Sequence, residues 1–553
     1  MAFRSERLGA LAAFLVAGTV LFAGLGAVPL MQPDEGRNAE VAREMAASGS
    51  WLVPTLEGNP YLDKPAAYFA AVAVSLEALG TNEWGARMPS ALFGLAILAC
   101  LYAFARRFYD GATAAFVVIS VATMPLFIAF SRIVIMDIAL ALCTSVAILA
   151  AFVAEAGATP DRRWHRVSAA AVGAGMLVKG PVGALVPGLV LIAFFWTSGR
   201  PRALRRVFSP LNFVIVLGLF LPWFFALVHA HPEFFHYGVV EESLNRFFTK
   251  TFNRGQPFWF FGPVFIATTM PWTILMAPLT VLAWRERKRL QPPDRLFILW
   301  TIVVLVFFSL SRTKQPGYIL SGVIAAGVLV GRGLGAARAS RAILGAALAL
   351  AVVTLLGALA LTLVARRGFG EKQAWLDLVW PQLVCALLVM ALLGLLAWRS
   401  RRPGYAAASF ATLQIALFTV AFPGARAYAS TRSVKSLAEA LAPLPRTTEI
   451  AAFESYPAGL SFYLGRTLTL VDDDAAALRS NFVTYWLKRQ TTPPPALVSS
   501  SARGAWLAAR TGDLVVVAPD AERDRLAGWL GDRAPVHRIA AGWSGAFRPA
   551  GGR

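Results

Sequence analysis

Acidic and basic side chains are scarce in this chain, and several of them are grouped where they could do chemistry. Gln32-Pro33-Asp34-Glu35-Gly36-Arg37-Asn38 holds two acids and a cation, and Tyr61-Leu62-Asp63-Lys64-Pro65 sets an acid beside an ammonium. Asp137 closes the stretch that begins Ser131-Arg132, and Lys179 stands in Leu177-Val178-Lys179-Gly180-Pro181. Arg312, Lys314 and Tyr318 share one short segment. His229, His231 and His236 precede Glu241, Glu242, Ser243 and Arg246. A carboxylate can take a proton or steady positive charge at a sugar's anomeric carbon. A cation can stabilise a departing phosphate. Transfer of a group from a phosphate ester is the chemistry these residue types suggest. Each set also has a plainer reading. Asp34 and Glu35 suit the first turn of a helix, with Arg37 as an i,i+3 partner of Asp34. Asp63 and Lys64 can be a solvated ion pair. Lys179 can snorkel to the surface, and Arg312 and Lys314 can anchor an interface. Asp137 can stabilise the start of a span, although an ionised carboxylate at that depth is costly. The three histidines fit no standard metal spacing and read as structural.

The elements that must hold these groups follow from composition. The chain has 553 residues, 57% hydrophobic and 15% charged, with a mean hydropathy of +0.59. This excludes an ordinary soluble enzyme and a disordered chain. Lys and Arg total 52 against 31 Asp and Glu, a net charge of +21. In so apolar a chain that excess indicates basic membrane loops, with no nucleic-acid partner. Cys100, Cys143 and Cys385 lie in apolar runs and form neither a disulfide framework nor a zinc site.

A bilayer core about 30 Å thick needs about 20 apolar residues of helix. That window predicts spans near residues 8–30, 84–105, 112–131, 137–155, 167–180, 181–198, 211–230, 257–284, 296–311, 318–334, 342–364, 379–398 and 403–422. The first apolar stretch is too long for a signal peptide and reads as an uncleaved anchor. Arginines cluster in alternate connections, from Arg4 and Arg7 through Arg106 and Arg107 to Arg399, Arg401 and Arg402, which places the N-terminus inside. Loops 31–83 and 231–256 are then outer loops, and long ordered loops usually carry function. Ala39, Ala42, Met45 and Ala46 form an apolar stripe at helical spacing, which predicts a helix lying on the membrane surface. After Pro423, strand-like runs at 449–453, 467–471 and 514–518 alternate with helix-compatible stretches. The chain therefore divides into a transmembrane domain, 1–425, and a small outer α/β domain, 426–553. No P-loop or glycine fingerprint is present, which points away from a soluble nucleotide and toward a lipid-linked donor.

The stretches around Asp34, Asp63-Lys64, Asp137 and Lys179, together with Lys314-Gln315-Pro316-Gly317-Tyr318 and Leu460-Ser461-Phe462-Tyr463-Leu464-Gly465-Arg466, resemble the lipid A aminoarabinose transferase family. That family is related to the protein O-mannosyltransferases. The resemblance implies a mostly α membrane protein of the GT-C fold, with about thirteen transmembrane helices and a periplasmic α/β domain. It implies a glycosyltransferase in the bacterial inner membrane, working on the periplasmic face. The donor would be an undecaprenyl-phosphate sugar, and the acceptor lipid A or another envelope molecule. Asp34, Glu35 and Asp137 would be the catalytic carboxylates. Arg37, Tyr61, Lys64, Lys179, Arg246, Lys314 and Tyr318 would surround the donor phosphate or its lipid. This chain has Asp63 where the family often has Glu, and Ser243 where the family often has His. No metal ligand is therefore assigned, and a divalent ion stays an open alternative. Two other readings compete: a relative acting on protein hydroxyls, and a flippase without chemistry, which would need charges near the bilayer midplane.

Overall fold

The computed structural model describes residues 2–238, 241, 255–336, 341–365, 373–472, 476–478, 480–487, 494 and 496–550. Helices lie over every apolar window, and local chemistry sets their ends. α1 (Ala2–Phe22) leads to the outer helix α2 (Asp34–Ser48), which stops where Gly49 adopts a left-handed φ of 68° and returns its N–H to Met45. A glycine meets that conformation at little cost. The hairpin β1 (Thr55–Leu56) and β2 (Asn59–Pro60) and the helix α3 (Ala67–Leu79) complete the first outer loop. Asn82 caps α4 (Glu83–Phe108) by accepting the Gly85 N–H, and Asp110 caps α5 (Gly111–Ala122) through Thr113.

Proline breaks two of the expected spans. The 112–131 window is α5 plus the short α6 (Pro125–Phe130), because Pro125 supplies no N–H to continue the ladder. The 257–284 window, expected as one rod, bends by 112° between Phe258–Thr269 and Thr273–Arg285, with Pro271 at the bend. α7 (Asp137–Ala156), α8 (Arg162–Lys179), α9 (Val182–Thr197), α10 (Pro201–Val207) and α11 (Pro210–Ala230) follow in order. Gly180, at φ 75°, and Pro181 separate α8 from α9. The helices touch so closely that a Cβ on Gly183 would lie 2.3 Å from the Gly175 carbonyl carbon.

Among the described residues, six helices are long and apolar enough to cross a bilayer, including α4, α7, α11, Pro292–Leu310, Pro316–Ala336 and Leu383–Ser400. Their surroundings differ. The apolar window of α7 is 72% buried inside the protein, whereas that of α11 is only 11% buried. α7 is thus a central helix, and α11 turns most of its apolar surface outward, as a lipid-facing helix does. The last long helix, Pro403–Thr431, connects to the outer domain.

There a six-stranded sheet runs in the order β5 (Leu497–Val498), β4 (Thr469–Val471), β3 (Glu449–Phe453), β6 (Leu514–Pro519), β8 (Trp543–Arg548) and β7 (His537–Ala540). The first four strands are parallel, and β8 pairs antiparallel with β6 and β7. β6 is buried along nearly its whole length, as befits a strand covered on both faces.

The apolar stripe of α2 does not face lipid. Ala39, Ala42 and Met45 are fully buried in a core shared with Leu437, Ile450, Leu460 and Leu470 of the outer domain. α2 is a wedge between the membrane helices and that domain. A Cβ on Gly36 would sit 2.3 Å from the Ala458 carbonyl oxygen, so a hydrogen is what fits there.

Candidate active site

A cavity of about 690 Å³ opens among the first outer loop, α7, the α8–α9 junction, α11 and the segment 307–321. Most of its wall is apolar, with Leu140, Leu185, Val186, Phe220, Leu221 and Phe224 among the lining side chains. Its charged groups are Asp63, Lys64, Asp137 and Lys179. Lys179 ends α8 and donates to Asp137 Oδ1 at 2.7 Å, at the first residue of α7. Its ammonium also lies 5.4 Å from the centre of the Tyr318 ring. Gly317 makes room for this grouping, because a Cβ there would come within 2.9 Å of Asp137 Oδ1 and closer still to the Phe130 ring. Lys64 donates to the Asp63 backbone carbonyl at 2.7 Å. The arrangement sets two lysines and two hydrogen-bonded carboxylates in an apolar-walled cavity.

The α2 end of the first loop is fixed by a second set of contacts. Glu35 is 3% exposed and receives both arms of Arg87, at 2.7 and 2.8 Å. It also accepts the Met31 and Val134 N–H groups. Asn38 donates to the Val134 carbonyl at 2.8 Å, and Ser90 on α4 donates to the Ile133 carbonyl at 2.8 Å. The turn leading to Asp137 is therefore bolted to α2 and α4. Asp34, one residue before Glu35, keeps a 44% exposed side chain paired with Arg37 at 2.7 Å. Arg37 in turn lies 5.8 Å from the centre of the buried Tyr61 ring. Burial alone would lower the Arg37 pKa, but Tyr61, Asp34 and Asp63 outweigh it and raise it, so the guanidinium stays charged.

Residues 63–225 match a model of the dolichyl-phosphate-mannose-protein mannosyltransferase family. The undecaprenyl phosphate-alpha-4-amino-4-deoxy-L-arabinose arabinosyl transferase 2 of Pseudomonas fluorescens is 30% identical over 55% of this chain and 52% of its own. The corresponding transferase of Photorhabdus laumondii is 32% identical over 53% of each. This chain spans about half the length of the curated relatives it matches. The crystal structure of ArnT from Cupriavidus metallidurans bound to undecaprenyl phosphate is 26% identical and covers 97% of both chains with a TM-score of 0.81. The chain shares the GT-C fold of that structure.

The GT-C fold brings together some of the residues singled out in the sequence and separates others. Asp137, Lys64, Lys179 and Tyr318 line one cavity. Asp34, Arg37 and Tyr61 form an adjoining chain of contacts outside its wall. Two of these residues have their polar groups taken up elsewhere. Glu35 is not free for catalysis, because Arg87 and two backbone N–H groups occupy its carboxylate. Lys314 is 5% exposed, and its ammonium donates to the Gln256 and Ser311 carbonyls, so it ties two outer segments together and does not line the cavity. Arg246, with Glu242 and Ser243, lies outside the described residues.

A divalent ion does not fit at Asp63. Tyr237 Oη donates to its Oδ1 at 2.6 Å, and the Phe482 and Asn481 N–H groups add bonds of 2.8 and 3.2 Å. Glu40, Glu44 and Glu57 place carboxylate oxygens within 4.8 Å of one another. These are taken up by Arg43, Thr55, the Gly58 N–H, Ser461 and the Leu468 N–H. Sequence reasoning missed Arg87 and the role of Tyr237. A cation at the start of an apolar span was the available signal for Arg87. Nothing local pointed to the bond between Tyr237 and Asp63, which are 174 residues apart.

Proposed function

We propose that this protein transfers a sugar from an undecaprenyl-phosphate donor to an envelope acceptor, lipid A being the acceptor the reading favours. It works on the periplasmic face of the bacterial inner membrane. One observation carries the reading: a largely apolar cavity is lined by Lys64, Lys179 and Asp137. The polyprenyl tail takes the apolar wall, and the phosphate meets the ammonium groups. In the transfer the bond between the anomeric carbon and the phosphate oxygen breaks, and its electron pair leaves with undecaprenyl phosphate. Lys64 and Lys179 stabilise that developing charge. A new bond forms from the anomeric carbon to an acceptor oxygen. Asp34, whose side chain is half-exposed and paired with Arg37, orients a phosphate acceptor or takes the proton of a hydroxyl acceptor. Arg37 holds Asp34 in place.

The family-model match over 63–225 favours a second reading, in which the acceptor is a protein hydroxyl. One experiment separates the two. The purified protein in reconstituted lipid vesicles is given undecaprenyl-phosphate aminoarabinose or hexose with lipid A or with a Ser/Thr-rich periplasmic protein, and products are weighed by mass spectrometry. A pentosyl or hexosyl mass increase on lipid A supports the first reading, and one on the protein supports the second. No increase on either, with donor translocated across the bilayer, leaves the flippase.

A further inference from the structure

The structure assigns to Asp63 the task of positioning Lys64, by a clasp that joins the first outer loop to the second loop and to the outer domain. The inference rests on the transferase reading above and concerns how the same cavity is held. Asp63 is 7% exposed, and its three donors come from two distant parts of the chain. Tyr237 belongs to the second outer loop, and Asn481 and Phe482 belong to the outer domain. These partners also pack as a unit: Tyr237 and Phe482 meet edge to face at 5.1 Å, within a small buried group that includes Leu62 and Phe234. Leu62, Asp63, Lys64 and Phe234 all line the cavity, so the clasp forms part of its wall.

The geometry transmits to Lys64 through the backbone. Lys64 lies between two constraints: Pro65 narrows the conformations open to the residue before it, and the Asp63 carboxylate is pinned on the other side. With both neighbours fixed, the ammonium is held on the cavity side instead of sampling solvent. A side chain ordered before its ligand arrives spends less of the interaction on ordering. Hydrogen bonds to a buried carboxylate are the stronger kind, so the loss of one is measurable.

Tyr237→Phe tests this with little disturbance, since it removes one hydroxyl and keeps the ring. It is expected to raise the donor KM about tenfold while the acceptor KM stays within about twofold and the melting temperature falls by only a few degrees. Asp63→Asn is expected to do the same or more. In a Lys64→Ala background Tyr237→Phe should add nothing further, which a general packing defect would not reproduce. An unchanged donor KM in Tyr237→Phe overturns the proposal, and so does a full tenfold loss on top of Lys64→Ala. Affinity for undecaprenyl phosphate, measured on the same purified proteins, reads the clasp independently of turnover. Binding without transfer by the wild type would end the transferase reading while leaving the clasp testable in the variants. Neither binding nor transfer would end both.

Discussion

Asp137 and Lys179 matter as a pair. Both side chains are largely buried, 10% and 14% exposed, and in such a setting removing one partner leaves an uncompensated charge. Lys179→Met is expected to destabilise the protein by about 3–5 kcal/mol, seen as a lower melting temperature in detergent. Adding Asp137→Asn should restore most of that loss without restoring transfer. A Lys179→Met protein that melts like the wild type would show that the pair is solvated after all. Asp34 and Glu35 make a complementary comparison. Successive residues on a helix point about 100° apart, so one acid of the pair faces the open side and the other the interior. Asp34→Asn is expected to lower the transfer rate about a hundredfold or more with unchanged melting. Glu35→Gln should instead lower stability by about 3 kcal/mol and leave the rate per folded molecule nearly intact. The reverse pattern would exchange their roles. The sequence could place the two acids at the start of a helix but not choose between them. That choice depends on Arg87, 52 residues away.

The hydropathy windows found the helices because each must present apolar side chains over most of its surface, a property written in consecutive residues. They missed the bend at Pro271 and the split at Pro125, where the composition stays apolar and only the missing N–H interrupts the ladder. The stripe on α2 was legible, but its partner was not: an apolar face fits lipid and protein equally well. What covers it includes the strand-and-helix core of the outer domain, and the two meet at Glu57. This carboxylate is in the turn between β1 and β2 and accepts from Ser461 and the Leu468 N–H. Burial, with Glu44 adding to it, pushes its pKa from 4.5 up to about 7. The folded state therefore holds more protons than the unfolded chain between those values. Stability must fall as pH rises through that window and level off above it. The wild type is expected to melt progressively lower from pH 5 to 7.5 relative to Glu57→Gln, whose profile should be flatter. Parallel profiles for the two proteins would show that Glu57 does not titrate there.

At the scale of the molecule, the orientation came from where arginines fall, a rule that needs no structure. A reporter enzyme active only outside the cytoplasm should work when fused after Arg553 and fail when fused after Arg402. Activity only at the second point would invert the topology, and activity at both would show that the last helix does not cross the membrane. A change in composition marks the α/β region after Pro423, and its strand-like runs lie on β3, β4 and β6. What composition could not give is how tightly that domain sits on the rest. At Gly36 and Ala458 the two halves meet main chain to main chain. The α2 side of that meeting tolerates only glycine, and Gly36→Ala should cost about 1–3 kcal/mol, with a smaller loss refuting the close approach. The opposite side contributes the Ala458 carbonyl oxygen and Gly459, whose φ of 97° and close approach to Gly36 also call for glycine. Recombination could therefore exchange one such cap for another of unrelated sequence, so long as the incoming loop follows the same path and brings its own glycine to meet the one left behind.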